Sequence, residues 1–209
     1  MKNIPPIKYT IHPIFPKPVY RTFLKKGLSK KDLDFAIKIN DLCKNEGNVS
    51  SRNTYILNEK RFNNLKKELN EIVWDYVDKI FCPKYKVEPY ITQSWLNYTK
   101  TNEYHHRHTH PNSFISGVLY FSADPNLDSI TFCHEKYEAI SIKPKLYNLF
   151  NSTTWNFPVE KNQVMLFPSD LIHKVSTKKG NNLRLSLSFN VFFKGRLGDN
   201  SALTELILR

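Results

Sequence analysis

A chain of 209 residues with 40% hydrophobic and 13% aromatic residues is long and apolar enough to bury a core, which excludes a disordered polypeptide. The 31 basic and 19 acidic residues leave a formal net charge of +12, which favours anionic partners, nucleic acid among them. Three widely spaced cysteines, Cys43, Cys82 and Cys133, form no CxxC pair and argue against a disulfide framework or a cysteine zinc site.

Residues 1–22 read as an extended arm punctuated by Pro5, Pro6, Pro13, Pro16 and Pro18. Its isoleucines are interleaved with prolines and lysines, so no signal peptide is expected. No apolar run reaches the length that spans a bilayer, and a soluble, cytoplasmic protein is expected. Ser29, three residues before Asp32, predicts a capped helix start, with Leu33, Ile37 and the stretch to Leu42 continuing its stripe. Residues 41–60 are polar and turn-rich. Leu65, Leu69, Ile72, Val73, Tyr76 and Ile80 then recur at helical spacing, and Pro83 ends that second helix.

From about Val87 the pattern becomes β-rich. The runs are VEPYITQSWLNYT, FISGVLYFS, SITFC, YEAISI, LYNLF, QVMLFP, IHKVST and LRLSLSFNVFF. About eight short strands predict a sandwich or jelly-roll barrel flanked by two or more helices. The chain is expected to be a single domain, with the arm and supporting helices over 1–85, the barrel over 86–195 and a tail over 196–209. Most of the charge excess lies before residue 101, outside the stretch expected to carry the site.

Four of the seven histidines crowd EYHHRHTHPNSF. Strand alternation puts His106, His108 and His110 on one face, with neighbouring side chains about 7 Å apart. That reach lets two imidazoles share one ion, with nitrogen–metal distances of about 2.0–2.2 Å. His173, in MLFPSDLIHKVST, is the candidate third ligand. Arg184 follows it by eleven positions and Ser186 shares the strand face of Arg184. An inward guanidinium needs an anion, and its planar fork suits a carboxylate. A three-ligand metal beside such an arginine is what a chelating 2-oxo acid requires.

At these residues the chain resembles the 2-oxoglutarate/Fe(II)-dependent oxygenase superfamily, in its prolyl-hydroxylase-like branch. More closely it resembles a group of 2OG-Fe(II) oxygenases common in bacteria and tailed bacteriophages. The likeness rests on Trp95–Asn97, His108–Thr109–His110–Pro111, Ser116–Gly117–Val118–Leu119–Tyr120, Phe167–Pro168 leading to His173, and Arg184–Leu185–Ser186 leading to Phe189–Asn190.

The resemblance implies a double-stranded β-helix (jelly-roll, cupin-like) fold and Fe(II) held by His108, His110 and His173. It also implies 2-oxoglutarate bound by Arg184 and Ser186, and hydroxylation of an unidentified substrate by O2 with release of succinate and CO2. For a phage-encoded chain the compartment is the host cytoplasm. Tyr120 and Tyr98 match tyrosines on the cosubstrate side, with ordinary barrel packing equally open for both. Asn97 (on the cosubstrate side), Asn112 and Asn190 are weaker candidates for orienting ligands or substrate, with turn and strand-end roles preferred for each. His110 departs from the carboxylate that most of the superfamily has there. Asp170 is a substitute carboxylate better suited to a turn, and His106 is the reserve ligand if the register slips by two. Three rival readings are a three-histidine cupin enzyme that does not use 2-oxoglutarate, a non-catalytic basic binding protein and a zinc hydrolase.

Overall fold

A computed structural model describes residues 7–135, 140 and 142–209. The N-terminal part contains β1 (Tyr20–Phe23), α1 (Lys30–Lys38), β2 (Leu42–Lys44), β3 (Val49–Ser51) and α2 (Asn63–Phe81). The strands that follow are β4 (Val87–Thr99), β5 (His105–His108), β6 (Ile115–Ser122), β7 (Ser129–Cys133), β8 (Thr154–Pro158), β9 (Gln163–Pro168), β10 (His173–Val175), β11 (Arg184–Leu197) and β12 (Leu206–Leu208). One sheet runs β1-β9-β6-β11-β4-β3-β2 with β12 added to β11, and the other runs β5-β10-β7-β8. From β4 onward the chain shuttles between the two sheets, and each paired contact is antiparallel. This is the strand order of a double-stranded β-helix.

Period-2 alternation divides the apolar side chains into two cores. Leu96, Leu119, Phe121, Val164, Leu166, Leu185, Leu187 and Phe189 leave the outer face of the large sheet and pack with Leu69, Val73 and Tyr76 of α2. Val118, Tyr120, Met165 and Phe167 point the other way and meet Ile130 and Phe132 of the small sheet. The polar residues that alternate with leucine along β11 therefore face the barrel interior, not solvent. Gly117 makes the close packing of β6 on β11 possible, because a Cβ there would lie 2.1 Å from the Phe189 ring.

Several expectations hold in detail. Ser29 caps α1 by accepting the Asp32 N–H at 3.1 Å. The α2 stripe is buried at Leu65, Leu69, Ile72, Val73 and Tyr76, and β4, β7 and β9 occupy the runs read as strands. Others need correction. Helix α1 stops at Lys38, Ile37 and Ile80 are exposed, and the face of α1 that packs on the core centres on Leu33 and Ala36. LYNLF is an exposed turn, and the strand lies further on at β8, TWNFP. Most of YEAISI lies outside the described residues; Ile140 and Ile142 are exposed and not in a strand. The arm contributes β1, which pairs with β9, and the tail contributes β12, which pairs with the end of β11 at Leu197, so both add to the large sheet. No helix among the described residues is long and apolar enough to cross a membrane.

The loops at one end of the barrel are tied by a buried ion pair. Lys178 Nζ donates to Asp128 Oδ1 at 2.9 Å and to Asn182 Oδ1 at 2.6 Å, while Asn182 Nδ2 donates to Asp128 Oδ2 at 2.8 Å. Both charged side chains are 1% exposed. Removing one partner of such a pair strands the other charge. Lys178→Ala is therefore expected to lower the unfolding free energy by roughly 3 kcal/mol in urea denaturation. The double variant Lys178→Met/Asp128→Leu is expected to lose clearly less.

Candidate metal and carboxylate site

The three histidines expected to act together do converge. His173 opens β10 and stands directly opposite His108, which ends β5. His110 lies two residues further on, where its N–H donates to the Ser169 carbonyl at 3.0 Å. A hydroxyl chain pins that corner: Ser169 Oγ donates to Ser113 Oγ at 2.8 Å and lies 2.9 Å from Ser116 Oγ. Ring centroids are 4.3 Å apart for His108 and His173, 5.1 Å for His110 and His173, and 5.2 Å for His108 and His110. One ligand atom from each falls within 4.8 Å of the others.

Each ring is oriented through Nδ1. His108 donates to the His106 carbonyl at 2.8 Å, His173 to the Leu171 carbonyl at 2.9 Å and His110 to Asn190 Oδ1 at 2.6 Å. A neutral imidazole that donates from Nδ1 keeps its Nε2 lone pair for a metal. Burial lowers all three pKa values, taking His108 to about 4 and His173 well below its ordinary range. Neighbouring imidazoles reinforce this for His108 and His173, whereas the bond to Asn190 opposes it in His110. The donor set is thus three neutral nitrogens, which suits Fe(II) and equally other borderline divalent ions. Trp95 stacks on His110 at 5.6 Å, and Phe167 meets His173 edge-on at 4.8 Å.

The cavity holding these rings is also lined by Asn97, Arg184, Ser186 and Ser188. Arg184 is 3% exposed, and its Nε is buried with no hydrogen-bond partner among the described residues. None of the ion pairs among those residues includes it. A buried guanidinium without a counter-ion is costly, and a ligand carboxylate in this cavity would relieve it. Asn97 stands opposite Ser186 on the neighbouring strand, and its Nδ2 donates to Ser188 Oγ at 2.9 Å while its Oδ1 stays unpaired.

The two tyrosines separate. Tyr120 lies against Arg184, the guanidinium carbon 5.3 Å from the ring centroid, and is fully buried outside the cavity lining. Burial raises its phenol pKa despite the nearby guanidinium. Tyr98 is a correction: it faces the helices, where its hydroxyl donates to the Ala36 carbonyl at 2.6 Å. Since Asn97 points into the barrel, its neighbour on β4 must point out.

His106 is not in the group of His108, His110 and His173, but its ligand atom lies within 4.8 Å of those of His105 and His108. Two steps on β10, from His173 to Val175, match three steps on β5, from His108 to His105. The extra residue is a β-bulge that reverses the parity, so His105 lines the cavity and His106 does not. Asp170 is exposed and ion-paired with Lys17, as suits a turn. Asn112 takes a left-handed turn conformation at φ 56°, whereas Asn190 takes the less favoured of its two expected roles and orients His110. Sequence reasoning also missed Trp95 as the stacking partner and His105 as a lining residue.

Two outcomes follow from this geometry. Buried histidines whose pKa values are depressed contribute stability that is complete above about pH 6.5 and lost as the pH falls toward about 4. For a single such imidazole the loss between pH 6.5 and pH 5 is on the order of 2 kcal/mol. Denaturation midpoints of the metal-free protein measured across that range should fall accordingly. Asn190→Leu is expected to weaken Co(II) affinity by about 10–100-fold in a spectroscopic titration, with the fold retained by circular dichroism.

Residues 93–190 match a family model described as "Putative 2OG-Fe(II) oxygenase". No curated protein matches the chain. Among solved structures, HygX from Streptomyces hygroscopicus, crystallised with nickel and 2-oxoglutarate bound, superposes with a TM-score of 0.57 at 11% identity, covering 84% of this chain and 82% of that one. The alpha-ketoglutarate-dependent epimerase SnoN from nogalamycin biosynthesis gives 0.58 at 7% identity, over 84% and 76% of the two chains. A Pseudomonas putida prolyl-4-hydroxylase gives 0.51 at 11% identity, over 83% and 92%. At such identities the structural likeness speaks for the fold, a double-stranded β-helix in each comparison. The family match over 93–190 spans just under half of the chain and lies on that fold, so over this stretch the chain is similar to the 2OG-Fe(II) oxygenases.

Proposed function

We propose that the cavity is the active site of a 2-oxoglutarate-dependent Fe(II) dioxygenase that hydroxylates its substrate and releases succinate and CO2. The observation that carries this reading is one cavity shared by three Nδ1-anchored imidazoles and a buried guanidinium that has no counter-ion among the described residues. In this reading His108, His110 and His173 hold Fe(II) through Nε2. Arg184 donates to the far carboxylate of 2-oxoglutarate, with the Ser186 hydroxyl beside it and Asn97 at the same wall. Tyr120 supports the guanidinium from beneath. When bound, Fe(II) with O2 and 2-oxoglutarate supplies the oxidising power for breaking a C–H bond. The protein's part is to leave coordination positions open, orient the diacid and keep water from the site with the Trp95, Val118 and Ile130 walls.

With a histidine at the position usually held by an acid, the three ligands bring no negative charge. The site then favours anionic ligands more than a two-histidine–carboxylate site would. The formal charge of +12 favours a substrate that is anionic or associated with nucleic acid, by steering. Three unpaired cysteines fit a reducing compartment, and we assign the reaction to the cytoplasm.

Anaerobic addition of Fe(II) and then 2-oxoglutarate is expected to produce a visible metal-to-ligand charge-transfer band. His173→Ala should abolish it. Arg184→Ala should raise the 2-oxoglutarate Kd by roughly 30-fold or more, as expected when a buried charge loses its partner. An unchanged band in Arg184→Ala would contradict the cosubstrate assignment and favour a three-histidine enzyme that works without 2-oxoglutarate.

A further inference from the structure

His105 lines the same cavity as His108, His173 and Arg184, yet it belongs to neither the ligand triad nor the serine–arginine pair. Its ring stacks on His108, with centroids 4.4 Å apart and planes 20° apart. Its proton can be placed by following hydrogen bonds inward from the surface. The Glu46 N–H donates to Asn45 Oδ1 at 2.9 Å, which fixes the orientation of the Asn45 amide. Asn45 Nδ2 lies 3.1 Å from His105 Nε2. An amide nitrogen only donates, so Nε2 accepts. A neutral imidazole has one donor and one acceptor, so Nδ1 carries the proton. No residue among those described accepts from that Nδ1.

We propose that His105 is a further binding residue for the cosubstrate. Held by Asn45 in the Nδ1–H tautomer, it donates a hydrogen bond to a carboxylate of the 2-oxo diacid that Arg184 anchors. The inference rests on reading the cavity as a 2-oxoglutarate site. It also makes Asn45, on the β2–β3 turn, a positioning residue that acts through the imidazole. The β5 bulge is what makes this possible, since it turns His105 rather than His106 toward the cavity. A competing role exists on the same residues. Ligand atoms of His105, His106 and His108 also lie within 4.8 Å of one another, and His106 Nδ1 is 3.9 Å from Glu46 Oε2. In that case His105 would ligate metal instead of the diacid.

The test uses the full chain and separates metal from diacid. His105→Phe keeps an aromatic face on His108 and removes the donor, His105→Gln restores a donor, and Asn45→Leu removes the group that sets the tautomer. Metal affinity and stoichiometry are read from Co(II) absorption, and the 2-oxoglutarate Kd from the anaerobic Fe(II) charge-transfer band. A hydrogen bond to a charged group corresponds to a Kd change of about 10–100-fold. We expect His105→Phe to take up Co(II) like the wild type while its 2-oxoglutarate Kd rises by about 10-fold or more. Asn45→Leu should show a smaller rise and His105→Gln a partial recovery. A wild-type Kd in His105→Phe overturns the inference, as does loss of Co(II) in that variant, which would make His105 a metal ligand. Wild-type protein that binds metal but shows no band with 2-oxoglutarate would remove the cosubstrate reading itself, and this inference with it.

Discussion

The site depends on one cross-strand pair. His108 and His173 come from strands far apart in sequence, and the antiparallel register of β5 and β10 sets them directly opposite each other. A one-residue slip in either strand would send one ring to the outer face of the small sheet. The bulge in β5 confines the irregularity to the residues before His108, so the pair itself is undisturbed. His110 then joins from the loop, held by the Ser169 carbonyl behind it and by Asn190 at its ring.

Around that pair the barrel interior is unusually polar for a core. Asn97, Ser186, Ser188 and Arg184 all face inward, and the apolar side chains that alternate with them supply the contacts with the helices. Stability is thereby separated from function. Leu185, Leu187 and Phe189 bury apolar surface against α2's layer, which leaves the opposite face of the same strand available for chemistry. The same division explains why Gly117 is needed. The closeness of β6 and β11 on the helix side keeps the inner faces of these strands in register with the small sheet.

Much of this was legible in the residues. The stripe of α2, the spans of β4, β7 and β9, and the spacing of His108, His110, His173 and Arg184 all follow from local periodicity and motif. What was not legible required partners. Asn97 and Tyr98 are adjacent on a strand and so cannot both face the cavity, but which of them does is decided by the strands on either side. His106 lost its expected place to His105 because a bulge is a property of two paired strands. LYNLF looked like a strand from its apolar residues, yet they are exposed, while TWNFP pairs with β7 despite a weaker pattern. Asn190 looked like a strand end because its partner, His110, is eighty residues away in sequence.

The most direct measurement of the central claim is X-ray absorption at the iron edge of the anaerobic Fe(II)-loaded protein. Three imidazole nitrogens at about 2.1 Å, with the outer-ring scattering that imidazole produces, are the predicted result. A first shell of oxygen atoms with one imidazole or none would mean that His108, His110 and His173 do not hold the metal together, and the account would fail.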